Sequence, residues 1–253
     1  MQKLNEKLLN AYNQAINFET DENIIGIQKE KILHKTLKYF VCDDDTKHEI
    51  KIKKSGKGLL YADVYDGEMI YEIQTRGFNK LRDKLSEFLN EYKVTIVHPI
   101  AYKKTIYKIQ ETGEITGPVK SPKTGKVYDV FKELYKIKFF LNNPNLNLKI
   151  ILLDMDEYRY VVDKKHSRSS GYVREKQIPK SIYKIYDFKS KNDYLTLLKE
   201  LNLEEEFTSL DFKKVAKVNK NISSLILNIL TYIEVVERIV KKGNSYIYKL
   251  KWN

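Results

Sequence analysis

The sequence has almost no cysteine and no long apolar run, and these absences exclude several classes of protein. Cys42 is the single cysteine among 253 residues, so an internal disulfide is impossible and a zinc site built on cysteines is excluded. No stretch approaches the roughly 18 apolar residues of a membrane span. The first residues, MQKLNEKLLNAYNQ, carry charges where a signal peptide has its apolar core. We therefore expect a soluble, cytoplasmic protein.

The signatures of several enzyme classes are also missing. No Walker loop, Ser/His/Asp order or Cys/His metal spacing occurs, and we find no internal repeat or low-complexity tract. His34, four residues after Glu30, could pair with that acid or support a metal site, but a lone histidine such as His34 or His98 is usually structural. A chain of 253 residues can bury one good core and a small second one. We expect residues 1–188 to form an α/β domain and residues 189–253 a smaller one.

Positive charge is in excess. The 46 Lys and Arg residues outnumber the 34 Asp and Glu residues, which gives a net charge of +12. This charge is typical of a nucleic-acid-binding protein, although an AT-rich genome also enriches a chain in lysine. Residues 163–176 hold five Lys or Arg and two acids without periodicity, which predicts a mobile basic loop. Its predicted DNA contacts are Lys164, Lys165, Arg168 and Arg174.

The apolar periodicity predicts alternating helices and strands. An amphipathic helix covers the first eighteen or so residues, and a second follows Gly26 in QKEKILHKTLKYF. Three short alternating segments predict a meander. The predicted elements from there to residue 201 are the strands HEIKIKK, LLYADVYD and MIYEIQT, the helix FNKLRDKLSEFLNEY, the strands KVTIVHPI and KTIYKIQ, the loop GPVKSPKTGK, a helix around 129–140, the strand LNLKIILLDMDEYRYVV, and, after the basic loop and a connecting segment, the helix NDYLTLLKEL.

Two acids interrupt the predicted meander. Asp63 lies late in one strand and Glu72 late in the next, so a tight hairpin brings together two carboxylates that repel each other unless a cation lies between them. Mg²⁺ prefers such oxygen ligands, and Mn²⁺ is the alternative. The carbonyl of Ile73 would add a ligand, and Gln74 would orient a water. If no metal binds, both acids are solvated positions on the outer face of the sheet.

The order helix, meander, helix, strand, with Asp63 ahead of Glu72-Ile73-Gln74, resembles the core of the PD-(D/E)XK nuclease superfamily over roughly residues 28–100. The resemblance implies a restriction-endonuclease-like α/β (α+β) core with a mixed central sheet. It also implies that Asp63 and Glu72 are metal ligands and that Glu30 is the auxiliary acid of the preceding helix. The whole chain is also similar to an uncharacterised bacterial family that joins this core to a winged-helix tail.

Gln74 departs from the superfamily pattern. It stands where the superfamily usually has a lysine, and its neutral amide can form hydrogen bonds but supplies no positive charge. Some restriction enzymes of the superfamily carry Glu-x-Gln and still cut DNA, whereas other members with altered motifs only bind it. The resemblance therefore implies a nuclease fold and leaves open whether the protein cuts DNA or only binds it.

From Thr208 onward the pattern predicts a winged helix-turn-helix domain. Thr208 or Ser209 caps a short helix through Ala216, a second helix follows KVNK, and a hairpin ends the chain. The segment holds nine Lys or Arg and three acids, a net +6 that suits phosphate contacts. The alternative is a module that only packs against the nuclease domain or a twin subunit. The predicted DNA contacts are Lys220, Asn221, Ser223, Ser224 and Asn228 on the second helix, and Lys241, Lys242 and Asn244 at the hairpin tip.

Together these expectations describe a Mg²⁺-dependent, restriction-like endonuclease acting on double-stranded DNA. The metal site would hydrolyse the phosphodiester while the basic loop and the hairpin tip hold the backbone. Cutting both strands requires a homodimer or two binding events. Two rivals stay open: a DNA-binding regulator with an inert nuclease-like scaffold, and a nuclease acting on RNA or a repair intermediate.

Overall fold

The structure, a computed structural model, describes residues 1–17, 31–54, 58–162, 171–243 and 245–251. The fold is mixed α/β, with a mixed central sheet and several helices. No helix in these described ranges is long and apolar enough to span a membrane. The chain divides into two compact units, each assembled from three separate segments. Unit 1 contains Met1–Thr75, Val97–Lys126 and Ile150–Ile185, and unit 2 contains Arg76–Ile96, Val127–Lys149 and Tyr186–Asn253.

The helices and strands alternate along the chain. The α-helices are α1 (Gln2–Asn17), α2 (Lys31–Val41), α3 (Arg82–Phe88), α4 (Phe131–Leu134), α5 (Lys191–Lys199), α6 (Ser209–Ala216) and α7 (Lys220–Tyr232). The strands are β1 (His48–Lys53), β2 (Leu59–Tyr65), β3 (Met69–Ile73), β4 (Lys93–Ile109), β5 (Ile115–Lys120), β6 (Leu146–Val161), β7 (Tyr172–Phe188), β8 (Glu206–Thr208), β9 (Val236–Lys242) and β10 (Ser245–Leu250). Short 3-10 helices occur at Asp45–Lys47 and Phe78–Leu81 and on both sides of α4, at Val127–Val130 and Tyr135–Phe140.

The larger sheet has seven strands in the order β1-β2-β3-β4-β6-β7, with β5 paired to β4. Strands β1, β2 and β3 form an antiparallel meander, which confirms the prediction made from their alternation. The turn between β1 and β2 was predicted at SGKG, and most of it lies outside the described residues.

The core of unit 1 is formed by two helices and the sheet. Helix α1 buries Leu8, Ala11 and Ala15, three residues on one helical face, as an amphipathic helix requires. Helix α2 contributes Leu33, Leu37 and Phe40, which are spaced along one helical face. The cluster consists of Leu8, Ala11, Ala15, Leu33, Leu37, Tyr39, Phe40, Ile73, Val97, Ile151, Leu153, Met155 and Ile182.

Three predictions about strands need correction. Strand β4 runs unbroken from Lys93 to Ile109, so the two strands predicted there are one. Part of the predicted GPVKSPKTGK loop is strand β5, which pairs with β4. The predicted basic loop and connecting segment are strand from Tyr172 to Phe188. Charged residues in β7, such as the consecutive Arg174, Glu175 and Lys176, hide the strand pattern, and pairing with the neighbouring strand, rather than local propensity, decides its conformation.

The second half of unit 2 has the order α5, β8, α6, α7, β9, β10, and its three strands form a separate sheet in the order β8-β10-β9. Thr208 caps α6 as predicted, since its side chain accepts hydrogen bonds from the backbone N–H groups of Leu210 and Asp211. The Asp211 carboxylate in turn accepts from the Thr208 backbone N–H, which completes a capping box. The terminal hairpin is also present, as β9 and β10.

Candidate functional site

The turn between β2 and β3 sets the register of the two acids. The Asp66 carboxylate accepts hydrogen bonds from the N–H groups of Glu68 at 2.9 Å and Met69 at 2.8 Å. Burial raises the pKa of Asp66, but these bonds more than offset it and hold the pKa below its usual value. Gly67 has φ of +105°, which glycine adopts at little cost. The turn therefore fixes the pairs Val64–Tyr71 and Tyr65–Ile70.

Asp63 and Glu72 are the residues of β2 and β3 that come next after the pair Val64–Tyr71. Each acid bonds to the other strand's backbone. The Ile73 N–H donates to Asp63 Oδ2 at 2.7 Å, and the Asp63 N–H donates to Glu72 Oε1 at 3.3 Å. The structure therefore brings the predicted pair together.

Burial differs between the two acids. Glu72 is 1% exposed, whereas the side chain of Asp63 is 13% exposed. A buried carboxylate needs charge compensation or several donors to remain ionised. Neither acid is a solvated position on an outer face of the sheet, because the exposure of both is low.

Helix α2 places His34 beside the acids. His34 Nε2 lies 3.3 Å from Asp63 Oδ2, and the His34 side chain is 32% exposed. The sequence predicted His34 as a neighbour of Glu30, with a supporting role at a metal site as the alternative to a structural one. Leu33 and Leu37 pack α2 into the core of unit 1, and His34 lies at the edge of that contact.

Residue 74 is fixed by β4. The Gln74 N–H donates to the Val97 carbonyl at 2.9 Å, and His98 Nδ1 lies 2.6 Å from the Gln74 carbonyl oxygen. Because a carbonyl only accepts, His98 Nδ1 is the donor. Ile73, whose carbonyl is a predicted ligand, packs its side chain into the core. Core packing on one side and β4 on the other therefore hold the Glu72-Ile73-Gln74 segment in place.

The donor set suits a hard divalent cation. Asp63 and Glu72 supply carboxylate oxygens, which are the ligands that Mg²⁺ prefers. Among the described residues, no group of three or more His, Cys, Asp or Glu side chains is arranged to hold a metal ion. A metal here would therefore depend on the two acids and main-chain or water oxygens.

Several predicted residues lie outside the part of the chain that the structure describes. These are Glu30, Lys164, Lys165, Arg168 and Asn244, together with the side chains of Arg174 and Lys242. The backbone of Arg174 belongs to β7, so this residue is in a strand and not in the predicted loop.

Helix α7 exposes some of its predicted residues and buries one. Lys220, Asn221 and Ser224 are exposed. Ser223 is wrongly predicted to project from the exposed side, because it is fully buried and its hydroxyl donates to the Ser209 carbonyl of α6. Asn228 is half-buried, and its side-chain oxygen accepts a hydrogen bond from Lys138 at 2.9 Å.

The tip of the β9–β10 hairpin is tight. Ser245 pairs with Lys242, and Gly243 has φ of +59°. Lys241 is exposed. Within the hairpin, the Arg238 guanidinium lies 4.1 Å from the centre of the Tyr246 ring, which holds this cation on the strand face.

A second buried acid in unit 1 is not part of the predicted site. Glu157 is 1% exposed and accepts hydrogen bonds from Lys104 Nζ at 3.0 Å, Arg159 Nε at 2.6 Å and Gln177 Nε2 at 3.1 Å. Two cations balance this carboxylate, so it acts as a structural ion-pair centre between strands. The sequence signal was the acidic run DMDE inside a strongly apolar strand.

Comparisons with known proteins place the site in a described family. The sequence model of the family described as "Domain of unknown function (DUF8091)" matches residues 31–189, a range that contains α2 and the β2–β3 hairpin. An uncharacterised protein of Treponema pallidum (strain Nichols) is 26% identical over 145 residues, or 57% of this chain and 55% of the relative. The chain thus spans about half the length of that curated relative. No solved structure matches the chain.

Proposed function

The chain belongs to the DUF8091 family, and we propose that it is a metal-dependent endonuclease that hydrolyses phosphodiester bonds of DNA. The observation that carries the proposal is the pair Asp63 and Glu72, held by reciprocal hydrogen bonds to each other's strand. Two neighbouring carboxylates repel each other, and a bound cation would relieve this repulsion. Hydrolysis of phosphodiesters is a reaction that such cation sites promote.

Asp63 and Glu72 would hold a Mg²⁺ or Mn²⁺ ion, with the Ile73 carbonyl as a further oxygen. When bound, such an ion lowers the pKa of water and neutralises charge on a phosphate. The side chains around the two acids would orient these ligands and the attacking water. His34, whose Nε2 lies 3.3 Å from Asp63 Oδ2, would orient the more exposed acid. Gln74, two residues after Glu72, would use its side-chain amide to orient a water.

Unit 2 supports the choice of DNA as substrate. We propose that α5, β8, α6, α7, β9 and β10 form a winged helix-turn-helix domain, since three helices with a small sheet and a terminal hairpin follow that order. Lys220 and Asn221 on α7 and Lys241 at the hairpin tip are exposed and would contact phosphates and base edges. The remaining DNA contacts stay predictions: Arg174, Lys242, Asn244 and the basic residues between 163 and 170.

The test is cleavage of supercoiled plasmid by the full chain with Mg²⁺ or Mn²⁺. We expect nicking or linearisation, and we expect Asp63→Asn and Glu72→Gln each to lower the rate by at least about 100-fold, because each removes a charged metal ligand. Glu68→Gln is the matched control: this exposed acid lies in the turn of the same hairpin and should leave the rate unchanged.

Because Glu72 is buried, replacing it can destabilise the fold. Thermal melts of each variant show whether cleavage is lost through the site or through unfolding. Equal loss of cleavage in the Glu68→Gln control, or full activity in both site variants with the fold intact, would contradict the proposal.

A second candidate is a DNA-binding regulator whose nuclease-like unit is inert. Gln74 favours this alternative, because it provides no cation where the superfamily that the sequence resembles usually has lysine. The hydrogen bonds of Asp63 and Glu72 to backbone N–H groups also give both acids a structural role. Specific DNA binding by the wild type, with no cleavage in either metal, would establish this candidate instead.

A further inference from the structure

Unit 2 carries an exposed group of aromatic rings around a lysine. Phe139 is 83% exposed and Tyr135 is 52% exposed, and both belong to the 3-10 segment that follows α4. Tyr232, at the end of α7, and Lys138 complete the group. We call these four residues, Tyr135, Lys138, Phe139 and Tyr232, the aromatic–lysine surface.

The rings and the ammonium group are close to one another. Lys138 Nζ lies 4.6 Å from the centre of the Tyr232 ring and 6.0 Å from that of Tyr135. The Phe139 ring meets Tyr232 edge to face, at 6.3 Å and 89°. Lys138 also donates to Asn228 at 2.9 Å, so this cation is held over an aromatic ring.

The backbone under the surface is anchored at several points. Arg82 Nε donates to the Lys136 carbonyl at 2.7 Å. Glu133 accepts from the Phe78 N–H at 2.8 Å and from Lys136 Nζ at 2.7 Å. Burial raises the pKa of Glu133, but its hydrogen bonds from Lys136 and Phe78 offset this and lower the pKa overall, which keeps the carboxylate ionised. A platform fixed in this way loses little entropy on binding.

The exposure of Phe139 results from a break in the helix. Ile137 has non-helical angles, φ −120° and ψ 21°, and is 1% exposed. This break turns Ile137 into the interior and leaves Phe139 in water. A large exposed aromatic side chain beside other rings marks an interaction surface rather than a packing position.

The charge around the surface favours an anionic partner. Residues 131–140 contain three lysines and one acid, and α7 contains one lysine and no acid. Aromatic rings that alternate with cations suit unpaired nucleotides, whose bases stack on the rings while their phosphates lie near the cations. A self-complementary contact between two copies would bring these lysines together, which is unfavourable.

We propose that the aromatic–lysine surface binds unpaired bases of a nucleic acid, with a base stacked on Phe139. The proposal takes the class of partner from the proposed function, but it requires neither metal nor cleavage. Binding at this surface would give the chain a preference for single-stranded or locally opened DNA. The other predicted contacts, on α7 and the hairpin tip, are those expected for double-stranded DNA.

The experiment is fluorescence anisotropy of a labelled single-stranded oligonucleotide and its duplex with the full chain in EDTA. We expect Phe139→Ala and Phe139→Leu to weaken single-strand binding about 5-fold to 100-fold, the range for loss of one stacked base. Phe139→Trp keeps a ring and should retain the wild-type affinity. Tyr61→Ala, which removes a 46% exposed tyrosine from β2, is the matched control and should have no effect.

Three results would overturn the proposal. The first is wild-type affinity in Phe139→Ala. The second is wild-type affinity in Phe139→Leu, which would show a general apolar contact without stacking. The third is a concentration-dependent dimer in the wild type that Phe139→Ala abolishes without changing single-strand affinity. The anisotropy is measured in EDTA, so it does not depend on cleavage. Single-strand binding in this assay, together with failure of the separate plasmid assay, would contradict only the nuclease proposal.

Discussion

At the scale of single residues, two carboxylates in the β2–β3 hairpin accept hydrogen bonds from backbone N–H groups of the opposite strand, in place of backbone carbonyls. Asp63 accepts the Ile73 N–H, and Glu72 accepts the Asp63 N–H. Each acid is thus fixed in orientation before any ligand binds, and preorganised groups of this kind are what a binding site requires. The spacing of the acids and their Asp-Gly turn predicted that they face each other, whereas the reciprocal bonds and the approach of His34 depend on packing.

Ser223 illustrates the limit of residue-level reasoning on a helix. Its neighbours Asn221 and Ser224 are exposed, but Ser223 is buried and bonds to Ser209 of α6. One residue is a turn of about 100° on a helix, so the position of the boundary between faces depends on how α6 crosses α7. The sequence pattern of α7 alone does not contain that information.

His48 gives a prediction at this scale. Burial lowers the pKa of His48, and the nearby Lys38 ammonium lowers it further, while the hydrogen bond to the Cys42 carbonyl opposes the shift. The folded state therefore favours neutral His48. This stabilisation is present above the unfolded pKa of about 6.5 and is lost as the pH falls through the lower folded-state pKa.

We expect the free energy of unfolding to fall as the pH drops below the unfolded histidine pKa of about 6.5, and to fall less steeply in His48→Gln. Urea unfolding at a series of pH values measures both slopes. Parallel pH curves for the two proteins would show that His48 does not titrate differently in the folded state.

At the scale of elements, strand length was the least predictable property. The apolar run 94–100 of β4 is fully buried and was predicted as a strand, but the same strand continues through Lys103 and Lys104 to Ile109. Likewise β7 begins in a segment that looked like loop. Strands of 17 residues exceed the usual range, and they persist because neighbouring strands pair with residues that have weak propensity of their own.

Helix boundaries were more predictable where a capping residue is present. Thr208 bonds to the N–H groups at the start of α6, a local interaction that any sequence with this pattern can form. The predicted helix 78–92, by contrast, is a 3-10 turn followed by the short helix α3. Apolar residues three or four apart suit both a 3-10 helix and an α-helix, so the periodicity alone did not distinguish the two.

Thr208→Ala tests the capping box. We expect it to lower the free energy of unfolding by about 1 kcal/mol near neutral pH. The Thr208 side-chain hydrogen bond lowers the pKa of Asp211, so this contribution is present above the unfolded carboxyl pKa of about 3.9 and is lost as the pH falls through the folded value.

Thr196→Ala is the matched control, because Thr196 is exposed inside α5 and its hydroxyl donates to the Asn192 carbonyl within the same helix. Alanine favours a helix interior, so this variant should be neutral or slightly more stable. Equal effects of the two substitutions on urea unfolding would show that the Thr208 cap contributes nothing beyond propensity.

At the scale of the whole molecule, charge is the property that most affects partners. The net charge of +12 includes +6 from residues 208–253, which lie in unit 2. Charge of this size acts over distances set by the ionic strength and favours polyanions whatever the fold. It cannot by itself separate DNA from RNA, or specific from non-specific binding.

The salt dependence of DNA binding would locate this charge. We expect the slope of log affinity against log salt concentration to fall by about 0.9 for each phosphate contact removed by Lys220→Ala and Lys241→Ala. Lys53→Ala removes an exposed lysine from β1 in unit 1 and should leave the slope unchanged. If the slope for duplex DNA falls equally in all three variants, the positive charge acts over the whole surface, and α7 and the hairpin tip are not the contact region.

The sequence by itself determined the local features: amphipathic α1 and α2, the alternating strands of the meander, the Asp-Gly turn that brings Asp63 and Glu72 together, and the Thr208 cap. Each depends on interactions within a few residues or on a short period, which a chain carries in its own order. Tertiary structure alone decided the burial of Glu72 and Ser223, the position of His34, the lengths of β4 and β7 and the exposure of Phe139. These depend on contacts between segments far apart in the chain, and such contacts have no short-range sequence pattern.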